Sequence, residues 1–183
     1  MSRKSETDIW RESSLAPLPP TTRYGLAFAS LKRGYLVEIL SNVKGLELKP
    51  NPRLMGEAGI QTFARFQTMI DAQFEERKER ALEMGLKERI VDGIRPEDLL
   101  EILQSGGIPI ILTSAAHFDD EDWAHWVVVT WIEKENVYVN DPGSTLSKGR
   151  RTFSREKFGE VNGYYGNQVL VAIFQRKEDM SNK

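Results

Sequence analysis

The sequence predicts an α+β fold, with a helical amino-terminal half and an antiparallel sheet in the carboxyl-terminal half. Three observations carry that expectation. Ile60, Phe63, Phe66 or Gln67, Ile70 and Phe74 recur at helical spacing, which predicts a long helix from about Gly56 to Met84. Beyond Gly106-Gly107 the pattern changes to short apolar runs, Ile108 to Thr113 and His125 to Ile132, of strand length. Helices and strands are segregated along the chain rather than alternating as βαβ units, which favours α+β.

The elements follow in order. Glu6 to Glu12 reads as a short helix, stopped by the extended Leu15-Ala16-Pro17-Leu18-Pro19-Pro20, whose prolines forbid helix. Thr21 or Thr22 caps a helix from Arg23 to about Lys32, ended by Gly34, and Tyr24, Ala27 and Leu31 lie one turn apart on it. Tyr35 to Leu40 is a strand. The turn-rich Lys49-Pro50-Asn51-Pro52 precedes the long helix, whose far end, Glu75 to Arg80, is a solvated run of mixed charge. Pro96 starts a further helix with Glu97 and Asp98 in its first turn, where acids suit the helix dipole, and Gly106-Gly107 stops it near Gln104. After Ile108 to Thr113 comes a polar loop, Ser114 to Ala124. His125 to Ile132 and Asn136 to Asn140 then form a hairpin about Glu133-Lys134-Glu135. Ser154 caps a short helix through Phe158, and Gln168 to Phe174 is the final strand.

Composition narrows the function classes. At 183 residues with 40% hydrophobic and 28% charged side chains, the chain reads as one globular domain, 1–183, with 1–8 and 177–183 flexible. Twenty-five basic against 27 acidic residues argue against a nucleic-acid surface, which would show a strongly basic stripe. No apolar run nears the ~20 residues that span a bilayer, and the amino terminus lacks the apolar core of a signal peptide, so no membrane and a cytoplasmic location are expected. Phosphate-binding glycine motifs are absent, and no cofactor is expected. The chain contains no cysteine, which excludes disulfides, thiolate zinc sites and thiol catalysis by its own residues.

One constellation carries chemistry: Ala124-His125-Trp126-Val127-Val128-Val129-Thr130 followed by Val137-Tyr138-Val139-Asn140-Asp141-Pro142. His125 opens the first strand of the hairpin and Asp141 closes the second, and antiparallel pairing brings those ends to one edge of the sheet. An aspartate beside an imidazole sets its tautomer and stabilises its charged form, the orienting role in a nucleophile–base–acid triad.

This pattern resembles the C39-like peptidase family within the papain-like cysteine peptidases. The resemblance extends more diffusely through Trp10-Arg11-Glu12, Tyr24-Gly25-Leu26-Ala27, Arg33 to Glu38 and Gly107 to Leu112. It implies a papain-like cysteine-peptidase fold, with His125 matching the catalytic histidine and Asp141 the orienting aspartate. The family's nucleophilic cysteine lies near the start of an amino-terminal helix, just after an oxyanion-hole glutamine. Here the match begins downstream of that helix. The resemblance therefore implies a domain inactive as a peptidase, whose cleft binds a peptide or protein partner. Two alternatives stand beside it: an active cysteine hydrolase whose Gln…Cys segment is missing from this chain, and a structural or interaction protein in which the hairpin is simply sheet. No oligomeric state is implied.

Each residue also has a plainer reading. His125 suits a hydrogen-bonded histidine at a strand entrance, and Asn-Asp-Pro-Gly is a good turn sequence for Asp141. Asn140 is an alternative orienting residue, although strand alternation points it away. His117 among Asp119, Asp120, Glu121 and Asp122 lacks a metal-ligand spacing and reads as a solvated acidic loop. Ser13 and Ser14 have no Gly-x-Ser-x-Gly elbow that would make either a replacement nucleophile. Trp10, Trp123, Trp126 and Trp131 read as core and cleft walls.

Overall fold

A computed structural model describes residues 12–14, 21–47, 52–118, 122–142 and 149–176, the side chains of 52–56 and 58 excepted. The elements are α1 (Arg23–Leu31), β1 (Tyr35–Ser41), α2 (Pro52–Glu83), β2 (Lys87–Ile90), α3 (Pro96–Gln104), β3 (Ile108–Ser114), β4 (Ala124–Ile132), β5 (Asn136–Asp141), β6 (Gly149–Ser154), α4 (Phe158–Val161) and β7 (Val169–Arg176). Among the described residues seven strands form one sheet in the order β2-β1-β7-β3-β4-β5-β6. All neighbours are antiparallel except β1 and β2, which run parallel because α2 carries the chain back between them. The α+β class and the division into a helical first half and a sheet-rich second half therefore hold, with β1 and β2 contributed to the sheet from the helical half.

Local chemistry explains the helix boundaries. The Thr22 hydroxyl accepts from the Gly25 amide at 3.2 Å and caps α1. The Asp98 carboxylate accepts from the Arg95 amide at 2.7 Å, which satisfies a free donor ahead of Pro96 at the start of α3. Gly106, at φ +76°, follows α3 in the left-handed conformation that terminates helices cheaply only at glycine.

The sheet separates two apolar layers. On one face, Tyr24, Ala27 and Leu31 of α1 and Ile70, Phe74 and Ala81 of α2 pack on Val37, Ile39, Leu112, Val169 and Val171. On the other, Leu99 and Ile102 of α3 and Phe158 pack on Ile111, Val127, Val129, Val137, Val139 and Leu170. Burying each large aliphatic or aromatic side chain contributes about 1.5–3 kcal/mol, so both layers are needed to offset chain entropy.

Beneath the first layer lies an ion cluster. Arg23 and Glu47 are both fully buried, with the guanidinium donating to the Glu47 carboxylate at 2.8 Å and the Arg23 amide to its other oxygen at 2.6 Å. The same guanidinium donates to the carbonyls of Gly45 and Lys44 at 2.9 and 2.8 Å, clamping that loop to the start of α1. Burial pushes the Glu47 carboxyl above its ordinary range, and Arg23 opposes the shift. The Tyr24 hydroxyl donates to Glu88 at 2.5 Å; burial first, and this bond second, hold its phenol well above the usual value. Residues 12–14 cross close by. A β-carbon added at Gly25 would lie 1.9 Å from the Ser13 carbonyl oxygen, so only glycine fits there.

Two sequence expectations need correction. Trp131 is 60% exposed and Trp123 41% exposed, so neither is a core wall. For Trp131 the cause is a bulge: Val129 pairs with Val139 but Trp131 with Tyr138, which leaves Thr130 as an extra residue and shifts the alternation of faces. The short helix begins at Phe158 rather than ending there; the Ser154 hydroxyl accepts from the Lys157 amide at 3.2 Å in the turn ahead of it. The readings placed on Trp10, on 15–20 and on the two chain ends fall outside the described residues, as does all of Glu6 to Glu12 except Glu12.

Candidate active site

His125 and Asp141 come together. His125 follows the first residue of β4 and pairs with Thr113 of β3. On the other side Val128 pairs with Asn140, so Asp141 lies diagonally across β5 from His125 on the same face, in line with the buried Val137 and Val139. His125 Nε2 and Asp141 Oδ1 are 2.7 Å apart. The Asp141 side chain is 1% exposed and that of His125 16%, so the carboxylate is sealed while the imidazole keeps an opening to solvent.

An ionised carboxylate only accepts hydrogen bonds, so this contact places a proton on Nε2, which donates to Asp141. In the neutral ring the Nδ1 lone pair then becomes the basic site. That is the arrangement of a general base oriented by an acid. Phe118, just after the 3-10 turn Ala115–His117, meets the His125 ring edge-on at 5.6 Å between centroids. It packs likewise on Phe153 of β6 at 5.5 Å, forming an aromatic wall that limits rotation of the imidazole.

The other residues singled out from sequence take different places. Asn140 is exposed on the opposite face from Asp141 and does not reach His125 from there. Ser13 and Ser14 are buried, with Ser14 bridged to Thr21 ahead of α1. Among the described residues no group of three or more His, Asp or Glu side chains is placed to hold a metal. His117 lines a polar cavity near the end of β3 instead, together with Asp122, whose carboxylate accepts from the Ser114 hydroxyl at 2.6 Å.

Three features escaped the sequence reading. Phe118 sits in a polar loop where nothing marks its inward turn. Trp126 donates from Nε1 to the Thr21 carbonyl at 2.9 Å, tying the strand that bears His125 to the segment that enters α1. The cavity near the end of β3 is walled by Asn162-Gly163-Tyr164-Tyr165-Gly166, a glycine-flanked aromatic pair that a closer look for loop signals would have marked.

The family model described as Peptidase_C39 like family matches residues 1–159. The chain belongs to that family. Comparison with curated proteins returns no match. Membership in the C39-like family agrees with the sheet-based α+β architecture, and this member contains no cysteine. No helix among the described residues is long and apolar enough to cross a membrane.

Proposed function

We propose that this C39-like domain does not cleave peptides with its own residues and instead holds an extended peptide or protein segment against the His125/Asp141 pair. The observation that supports the reading is a partly exposed imidazole oriented at 2.7 Å by a sealed carboxylate, in a chain without a thiol. Without a nucleophile covalent chemistry is lost, and an isolated imidazole contributes at most about 10²–10⁴-fold as a general acid or base. The Nδ1 lone pair remains suited to accept a hydrogen bond from a peptide amide. The proposed location is cytoplasmic.

Calorimetric titration of short extended peptides into the wild type and His125→Ala tests this. Binding heat in the wild type, lost in the variant at unchanged thermal midpoint, is the expected result. Absence of heat with every peptide at high concentration overturns it.

A second reading rests on the same oriented imidazole: a thiol supplied from a Gln…Cys segment outside these residues completes a cysteine hydrolase. Reading the DNA upstream of Met1 decides it, since an in-frame stop codon ends that reading and an in-frame Gln…Cys helix supports it.

A further inference from the structure

We propose that Asn162-Gly163 is a modification site gated by the fold: the folded chain preserves the Asn162 amide, and opening of this segment converts it to aspartate or isoaspartate, which the native packing does not take back. The proposal is independent of the peptide-binding reading.

The reaction needs only water. The Gly163 backbone nitrogen loses its proton to solvent base and attacks Asn162 Cγ. The Cγ–Nδ2 bond breaks, and ammonia leaves with a proton from water. The cyclic imide that remains takes up one water at either of its two carbonyls. One opening gives aspartate; the other gives isoaspartate, whose main chain runs through the former side chain and is one methylene longer. Glycine in the second position favours the attack because no β-carbon hinders the nitrogen or restricts its backbone. Asn162 is the only asparagine of the chain that precedes a glycine.

Three features of the folded chain oppose ring closure. Asn162 has ψ 100°, which turns the Gly163 nitrogen to the far side of the Cα–C bond from the Asn162 side chain. The Gly163 N–H donates to the Leu112 carbonyl at 2.9 Å, and Asn162 Nδ2 donates to the Ile94 carbonyl at 3.2 Å. Reaching the attacking geometry means giving up the bond to Leu112 and the bridge between Asn162 and Thr113. Finally, Asn162 is 2% exposed and its Oδ1 has no hydrogen-bond donor. The negative oxygen that forms there during attack is therefore left without stabilisation.

The geometry nevertheless calls for both residues of the labile pair. Gly163 has φ +129°, and a β-carbon there would lie 3.1 Å from Gln168 Cγ and 3.2 Å from the Asn167 carbonyl oxygen. Position 162 supplies the donor to the Ile94 carbonyl. Aspartate has no such N–H, so it sets a buried carboxylate oxygen against a carbonyl oxygen. Isoaspartate lengthens the chain between the Thr113 bridge and the bond to Leu112, and the two no longer fit together. Either product disfavours the folded state, so unfolding becomes irreversible with time.

Peptide mapping by mass spectrometry tests the gate on the wild type held in mildly alkaline buffer with and without guanidinium chloride. In denaturant Asn162 should gain the amide-to-acid mass ahead of every other asparagine, with isoaspartyl methylation separating the two products. In native buffer its conversion should be at least about a hundredfold slower, set by how rarely the segment opens. Comparable rates in the two buffers, or another asparagine ahead in denaturant, overturn the gate. Refolding after increasing times in denaturant tests the return. The recovered fraction should fall in step with conversion at Asn162, and recovery independent of conversion overturns this half of the proposal. Asn162→Asp should melt below the wild type at neutral pH; an unchanged midpoint overturns the account of the aspartate product.

Discussion

Arg23 with Glu47, and His125 with Asp141, each join a carboxylate to a nitrogen base at hydrogen-bond distance, 2.8 Å in the first pair and 2.7 Å in the second. The first pair has both side chains at 0% exposure, and further guanidinium donors reach the loop carbonyls of Gly45 and Lys44. The second seals only its carboxylate. In the first, every surrounding bond fastens chain to chain, so the pair fixes where the 42–47 loop meets α1. In the second, the imidazole keeps a small opening to solvent while its carboxylate partner has none. Charge proximity is common to both; access separates the pair that builds from the pair that is suited to bind.

Breaking the sealed pair should have the largest effect. Glu47→Ala strands a buried guanidinium and is expected to cost about 3–5 kcal/mol in urea denaturation. A loss under about 1 kcal/mol would show that the cluster is more hydrated than its burial indicates. Next comes Gly25→Ala, where the new methyl group meets the Ser13 carbonyl. Pushing residues 12–14 off α1 is expected to cost about 1–3 kcal/mol, read as a lower denaturation midpoint at unchanged slope. At the open pair, Asp141→Asn should cost about 1.5–3 kcal/mol, the range for hydrogen bonds to a charged group, while peptide binding measured by calorimetry falls sharply. Equal losses of stability at the two pairs would erase the distinction between them.

The smallest effect is a pH dependence. Burial raises the folded-state value of Glu47, so its contribution to stability is present below the ordinary glutamate value of about 4.3 and is lost as pH rises through the folded value. The variant Glu47→Gln has an amide there, which does not titrate. The stability of the wild type relative to that variant should therefore decline as pH rises above about 4.3, seen in parallel urea titrations. A difference that grows with pH would mean that Arg23 outweighs burial.

Much of this was legible in the residues, and the parts that were not share a cause. The α3 bounds, Pro96–Gln104, follow from proline and glycine punctuation, and the paired strands β4 and β5 from β-branched runs about a charged turn. The two sheet edges were missed. Lys87-Glu88-Arg89-Ile90 and Gly149-Arg150-Arg151 drew no assignment from the sequence because an edge strand carries charge outward and buries little, which removes the alternation that marks strands. At the site, His125 and Asp141 were visible as strand ends because pairing alone relates them. Phe118 and the Asn162 cavity depend on how loops close over the sheet, and periodicity does not encode that.

The strand order carries a consequence for how the protein is made. β7 lies between β1 and β3 near the middle of the sheet, although it is the strand latest in the chain among the described residues. β1 therefore waits, its neighbouring position empty, until Val169–Arg176 has left the ribosome. Pairings so distant in sequence close large loops and slow folding. Until then the β1 edge lacks the strand that covers it in the finished sheet, and such unpaired edges are where folding intermediates associate with other chains.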